Sequence, residues 1–253
     1  MAYTAVATGK TPALIVYLLD ISGSMDEQLE GISKIEHVNQ AIERLLVRMV
    51  QRSTKGEVIS PRYRLSMIAY SDEPIDILGG VHTIDEIVQL GKPTLSATNS
   101  TDTAAAFEMA RDILRREIAQ MGPSPVPPAP MICHLTDGQF TGPDPEPIAR
   151  EIMQMETPDG RVLIENIYVG PNLTTQPIYQ VETWGGVMQI NELSDQYAKK
   201  LFNISSALPA SYAEVINEMG YGLQRGAKML IPSSNKDLIE LAFAMSGATP
   251  TGR

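Results

Sequence analysis

The feature that most constrains this chain is Ala13-Leu14-Ile15-Val16-Tyr17-Leu18-Leu19, seven apolar residues without alternation that end at Asp20. A strand exposed to water on one face alternates apolar and polar side chains, so an unbroken run means cover on both faces, as for a central parallel strand of an α/β sheet. Seven residues are far too few to cross a bilayer. Further along, Ile35, Val38, Ile42, Leu45 and Met49 recur at intervals of three and four and build one face of an amphipathic helix.

Strand and helix patterns then alternate. Strands are expected at Tyr63–Tyr70, Ile75–Leu78, Met131–Leu135 and Val162–Val169, with helices near 83–90, along Phe107, Ala110, Leu114, Ile118 and Met121, and at 145–156. The close pair 63–70 and 75–78 reads as an antiparallel hairpin at a sheet edge. Five prolines between Gly122 and Pro130 mark a stiff surface connector. The tail reads as helices near 194–205 and 210–220, a strand at Lys228–Ile231 and a last helix at Asn235–Met245. The order predicts a doubly wound, mostly parallel sheet with one antiparallel edge strand and helices on both faces, a Rossmann-like α/β fold. No linker or repeat divides the 253 residues, so one domain is expected, with a core at about 12–170 and an extension at 171–249.

Composition narrows the partners. Thirty Asp and Glu against twenty Lys and Arg give a formal charge of −10, and no basic run offsets it, which argues against nucleic acid and membrane surfaces. The single cysteine, Cys133, forms no intrachain disulfide, and the N-terminus has no secretory pattern. A reducing, cytoplasmic setting follows as the expectation.

Ligands of parallel sheets bind beyond the carboxyl ends of the strands. Three polar segments fall there: Asp20-Ile21-Ser22-Gly23-Ser24, the loop Asn99-Ser100-Thr101-Asp102-Thr103, and Thr136-Asp137-Gly138. Two carboxylates with hydroxyls and no nearby His or Cys make a hard, all-oxygen environment suited to Mg²⁺ or Mn²⁺, and to Ca²⁺ with more ligands. Uncharged hydroxyl ligands leave such an ion electrophilic, and a partner's carboxylate could complete it. Enzymes fit less well. A phosphatase of the haloacid-dehalogenase type needs a second Asp where Ser22 stands, the serine-hydrolase elbow G-x-S-x-G is missing, and Thr8-Gly9-Lys10-Thr11 precedes a strand instead of following one. His134, inside a strand, reads as a hydrogen-bonded core residue, and His37 and His82 have no zinc-site spacing.

Asp20, Ser22 and Ser24 resemble the D-x-S-x-S signature of von Willebrand factor A domains, and Thr101 and Asp137 match the two further positions of that family's metal-ion-dependent adhesion site. The stretches Leu18–Met25, Ser100–Ala106 and Leu135–Gly138 fall in the family's order. The resemblance implies that Ser22, Ser24 and Thr101 bind a metal directly, and that Asp20 and Asp137 bind it directly or through water. It further implies a non-enzymatic module that clamps an acidic side chain of a protein partner through Mg²⁺. A metal-dependent hydrolase and a scaffold with an unused site are the alternatives. The chain looks most like bacterial intracellular members similar to tellurium-resistance-type proteins, on the stretch Tyr197–Pro209. The polar stretch 26–34 is long for a compact member and is expected to fold over the rim of the site.

Overall fold

The computed structural model describes residues 3–98, 101–122, 124–138 and 142–251. Strand β1 (Ala13–Asp20) lies in the middle of a seven-stranded sheet and is buried along its whole length. It is followed by α1 (Lys34–Ser53), β2 (Tyr63–Tyr70), β3 (Pro74–Asp76), α2 (Ile84–Leu90), α3 (Thr103–Ala119), β4 (Met131–Thr136), α4 (Glu146–Ile152), β5 (Leu163–Val169), α5 (Gln196–Asn203), α6 (Ala210–Glu218), β6 (Leu230–Ser233) and α7 (Lys236–Ser246). The strand order is β6-β5-β4-β1-β2-β3, with the short strand His82–Thr83 also paired to β2. β1, β2, β4, β5 and β6 run parallel, while β3 and His82–Thr83 run antiparallel to β2. The doubly wound sheet with its antiparallel edge is the one expected.

The missing alternation in β1 has a direct cause. Ile15, Tyr17 and Leu19 pack into a core with α1, α2, α6 and α7, and Leu14, Val16 and Leu18 pack into a second core with α3, α4 and α5. Each face of the sheet thus carries its own helical layer, and burying a Leu or Ile side chain in it contributes about 1.5–3 kcal/mol. The predicted faces of α1 (Ile35, Val38, Ile42, Leu45 and Met49) and of α3 (Phe107, Ala110 and Leu114) are buried, while Ile118 and Met121 at the end of α3 are half-buried against the second core.

Several boundaries differ from expectation: the helix expected at 145–156 ends at Ile152, and the edge strand expected at Ile75–Leu78 is Pro74–Asp76. β6 starts at Leu230 instead of Lys228 and runs through Pro232, which an edge strand tolerates because the side without a ladder partner needs no N–H. Residues 26–34 contain a small hairpin, Gln28–Leu29 against Ile32–Ser33, and Lys34 already opens α1. Residues 127–130 of the proline-rich connector are buried under the sheet end instead of lying on the surface, and Pro123 lies outside the described residues. No helix among the described residues is long and apolar enough to cross a membrane.

Candidate metal centre

The register sets the site. Asp20 at the end of β1 lies opposite Tyr70 of β2, and Leu19 lies opposite Leu135 of β4, so the carboxyl ends of three adjacent strands finish level with one another. Past Asp20 the chain turns at once. The Ser22 N–H donates to Asp20 Oδ1 at 2.8 Å, the local carboxylate-to-backbone bond that favours Asp in turns. A 3₁₀ turn over Gly23–Asp26 follows, anchored by the fully buried Met25.

That turn brings four of the five expected residues into one hydrogen-bonded chain. The Ser22 and Ser24 hydroxyls are 3.2 Å apart, and Ser24 Oγ donates to Asp137 Oδ1 at 2.7 Å. Asp20 Oδ2 accepts from Thr136 Oγ1 at 2.7 Å. Thr101, the fifth, is buried in the loop that enters α3. Its neighbour Asp102 places that loop: the Asp102 N–H donates to the Ser71 carbonyl, just past β2, at 2.6 Å, and the Asp102 carboxylate caps α3 by accepting from the Ala105 N–H at 3.0 Å. Thr101 therefore stands at the same end of the sheet. Asn99 and Ser100 of this loop lie outside the described residues.

Three further side chains at the site lie outside the five expected residues. Thr136 immobilises Asp20 through the bond just described. Lys34 is buried and puts its ammonium 2.8 Å from Asp137 Oδ2, 2.6 Å from Glu27 Oε2 and 3.3 Å from the Ser24 carbonyl. Glu27 and Lys34 frame the hairpin of residues 28–33, which His37 fastens to α1 by donating from Nε2 to the Leu29 carbonyl at 2.7 Å. The stretch 26–34 does reach the rim of the site, as expected, and it does so with an ion pair.

Burial pushes the Asp20 carboxyl above its ordinary range, because hydrogen bonds from Ser22 and Thr136 only partly offset the desolvation and nearby Asp137 adds to it. Burial also works against the Lys34 ammonium, but Asp137 and Glu27 outweigh it and hold the lysine protonated beyond its usual range. Behind the site His134 is fully buried and lies 2.8 Å from the Tyr70 hydroxyl and 2.7 Å from Asn166 Oδ1. Burial lowers it to about 4, so the imidazole is neutral and serves the hydrogen-bonded core role expected of it.

The donor atoms fit a hard cation. They are carboxylate and hydroxyl oxygens only: those of Ser22, Ser24 and Asp137 are linked by 2.7–3.2 Å hydrogen bonds, and the Asp20 carboxylate is fixed by the Ser22 N–H and the Thr136 hydroxyl. Among the described residues no three His, Cys, Asp or Glu side chains converge as a metal-holding group, so an ion here would depend on the serine and threonine hydroxyls.

Residues 15–139 match the family model of the von Willebrand factor type A domain. No curated protein matches the sequence. Among solved structures the fold is similar to proximal thread matrix protein 1 from the mussel byssus, with a TM-score of 0.54 and 14% identity over 96% of this chain and 47% of that one. It is similar to the pilus adhesin SpaC from Lactobacillus rhamnosus GG, with a TM-score of 0.56 and 11% identity over 94% and 30% of the two chains. A variant of the PilB minor pilin from Streptococcus sanguinis gives a TM-score of 0.50 at 10% identity over 92% and 60%. At identities this low the likeness, carried by the TM-scores, is one of fold alone. The chain spans less than half the length of the mussel protein.

Proposed function

We propose that this chain, whose residues 15–139 match the von Willebrand factor type A domain, is a non-enzymatic interaction module that binds a protein partner through a divalent cation. Asp20, Ser22, Ser24, Thr101 and Asp137 would hold the ion, Mg²⁺ in the first place with Mn²⁺ or Ca²⁺ as substitutes, and a carboxylate of the partner would complete its ligands. The ion would supply an electrophilic centre for that carboxylate. The observation that carries the reading is the hydrogen-bonded chain from Ser22 through Ser24 to Asp137, with Asp20 fixed beside it, at the carboxyl ends of β1 and β4. For a hydrolase the nearest bases are already engaged: Asp20 by Ser22 and Thr136, Asp137 by Ser24 and Lys34.

The reading takes the chain as one domain, supported by β6 and α7 extending the same sheet and the same core. It sets the module in a reducing compartment, as in the tellurium-resistance-type bacterial proteins it resembles, supported by a single buried cysteine. The test is capture of lysate proteins on the immobilised chain in Mg²⁺ and in EDTA, with Ser22→Ala and Asp137→Ala as controls. A partner held only by the wild type in Mg²⁺ is expected. Partners held equally in EDTA and by both variants overturn the proposal.

A further inference from the structure

Lys34 is the first residue of α1, where the positive end of the helix dipole disfavours a cation and favours an acidic side chain. It is nevertheless buried, and its ammonium has three acceptors within 3.3 Å, which matches its three N–H donors. Surface ion pairs do not look like this. The Asp137 side chain is 0% exposed and the Lys34 side chain 6%, whereas the Glu27 side chain is 68% exposed. The lysine thus sits between an inner carboxylate that belongs to the site and an outer one at its rim.

Both oxygens of Asp137 are engaged, Oδ1 by the Ser24 hydroxyl and Oδ2 by the ammonium. A dication taking Asp137 as a ligand, directly or through one water, would lie within a few ångströms of Lys34, and the two positive charges would repel in surroundings with little water to screen them. We infer that Lys34 is a resident cation of this centre that competes with a divalent ion for Asp137, and that Glu27 carries the lysine's charge when Asp137 is given up. The inference rests on the metal reading proposed above. Glu27 is suited to that part because it moves with the lysine: the Lys34 N–H donates to the Glu27 carbonyl at 3.0 Å across the base of the 28–33 hairpin, so the two stay adjacent wherever the hairpin goes. Competition of this kind is reciprocal. Whatever weakens the Lys34–Asp137 contact tightens the ion, and the ion loosens the lysine and the hairpin attached to it.

The experiment is Mn²⁺ titration of the whole chain, followed by electron paramagnetic resonance at fixed pH and ionic strength, for the wild type, Lys34→Met, Lys34→Arg, Glu27→Gln and Asp137→Asn. Lys34→Met is expected to bind Mn²⁺ about tenfold more tightly than wild type, and Lys34→Arg, which keeps the charge, to stay near the wild-type value. Glu27→Gln is expected to bind about fivefold more weakly, since the ammonium then has only Asp137 as a carboxylate partner. Equal affinities in wild type and Lys34→Met, both lost in Asp137→Asn, overturn the competition and leave the metal centre standing. Mn²⁺ binding by none of the proteins overturns the metal reading and the inference together. If Lys34→Met does not fold, Glu27→Gln decides, because an exposed side chain is changed there and an unaltered affinity contradicts the role given to Glu27.

Discussion

Glu165 lies on the face of β5 that packs towards α1 and α7, fully buried, with no N–H or O–H donor to either carboxyl oxygen; the Cys133 thiol, opposite it across the ladder, is its polar neighbour. Burial pushes this carboxyl well above its usual range, and it pushes the Cys133 thiol up as well, so burial favours the protonated, uncharged form of both groups. The consequence for stability has a definite sign. In the unfolded chain Glu165 releases its proton above about pH 4.3, while the folded protein keeps it, so stability falls by up to ~1.4 kcal/mol per pH unit above that point until the folded group titrates too. Replacing the carboxyl by an apolar side chain of similar length removes the penalty. Glu165→Met is therefore expected to be more stable than wild type in urea at pH 7, with a margin that widens between pH 5.5 and pH 7.5. A margin that does not change with pH contradicts the protonated carboxyl.

Helix α3 shows how an element delivers a site residue. Its cap, Asp102, both accepts from the Ala105 N–H and ties the incoming loop to the end of β2, and the residue just before it is Thr101. Asp102→Ala is expected to cost about 1 kcal/mol in denaturant unfolding, the usual worth of an N-cap, while the backbone N–H that ties the Thr101 loop to Ser71 stays in place. An unchanged unfolding curve contradicts that account. Elements of this kind were legible in the sequence because their signals are local. The apolar runs of β1 and β4, the three-four spacing of α1 and the polar residues at strand ends all lie within a few positions of the structure they specify. The hairpin of residues 28–33 was not legible, since two residues per strand leave no period to detect. Nor was the position of Lys34, which contacts Asp137 across 103 residues of sequence and sits at a helix start where propensity argues against it. Thr136 stood beside a recognised residue, and only the register of β4 against β1 shows that its hydroxyl reaches Asp20.

The whole molecule is organised outward from β1, with β2 on one side and β4 on the other, and the strand order reverses at that point, where open parallel sheets form their ligand clefts. The far side of the sheet is completed from the end of the chain. β6 pairs with β5, and α7 buries Leu238, Ile239, Leu241, Phe243 and Met245 in the core shared with α1. Removing residues 228–253 would forfeit roughly 8–15 kcal/mol of apolar burial, comparable to the entire stability of a domain. The shortened chain is expected to lose its cooperative thermal transition and to bind a hydrophobic dye. A cooperative transition at the wild-type temperature would instead divide the chain into independent units.

The place of β6 in this order also has a consequence in time. A ribosome adding about 5–20 residues per second needs roughly 3–12 s to make the approximately 60 residues between β5 and β6. Throughout that interval the outer edge of β5 has its backbone groups open to the matching strand of a neighbouring nascent chain. Yield from a cell should thus depend on how fast the codons between β5 and β6 are read, and on whether a chaperone holds that edge until they are.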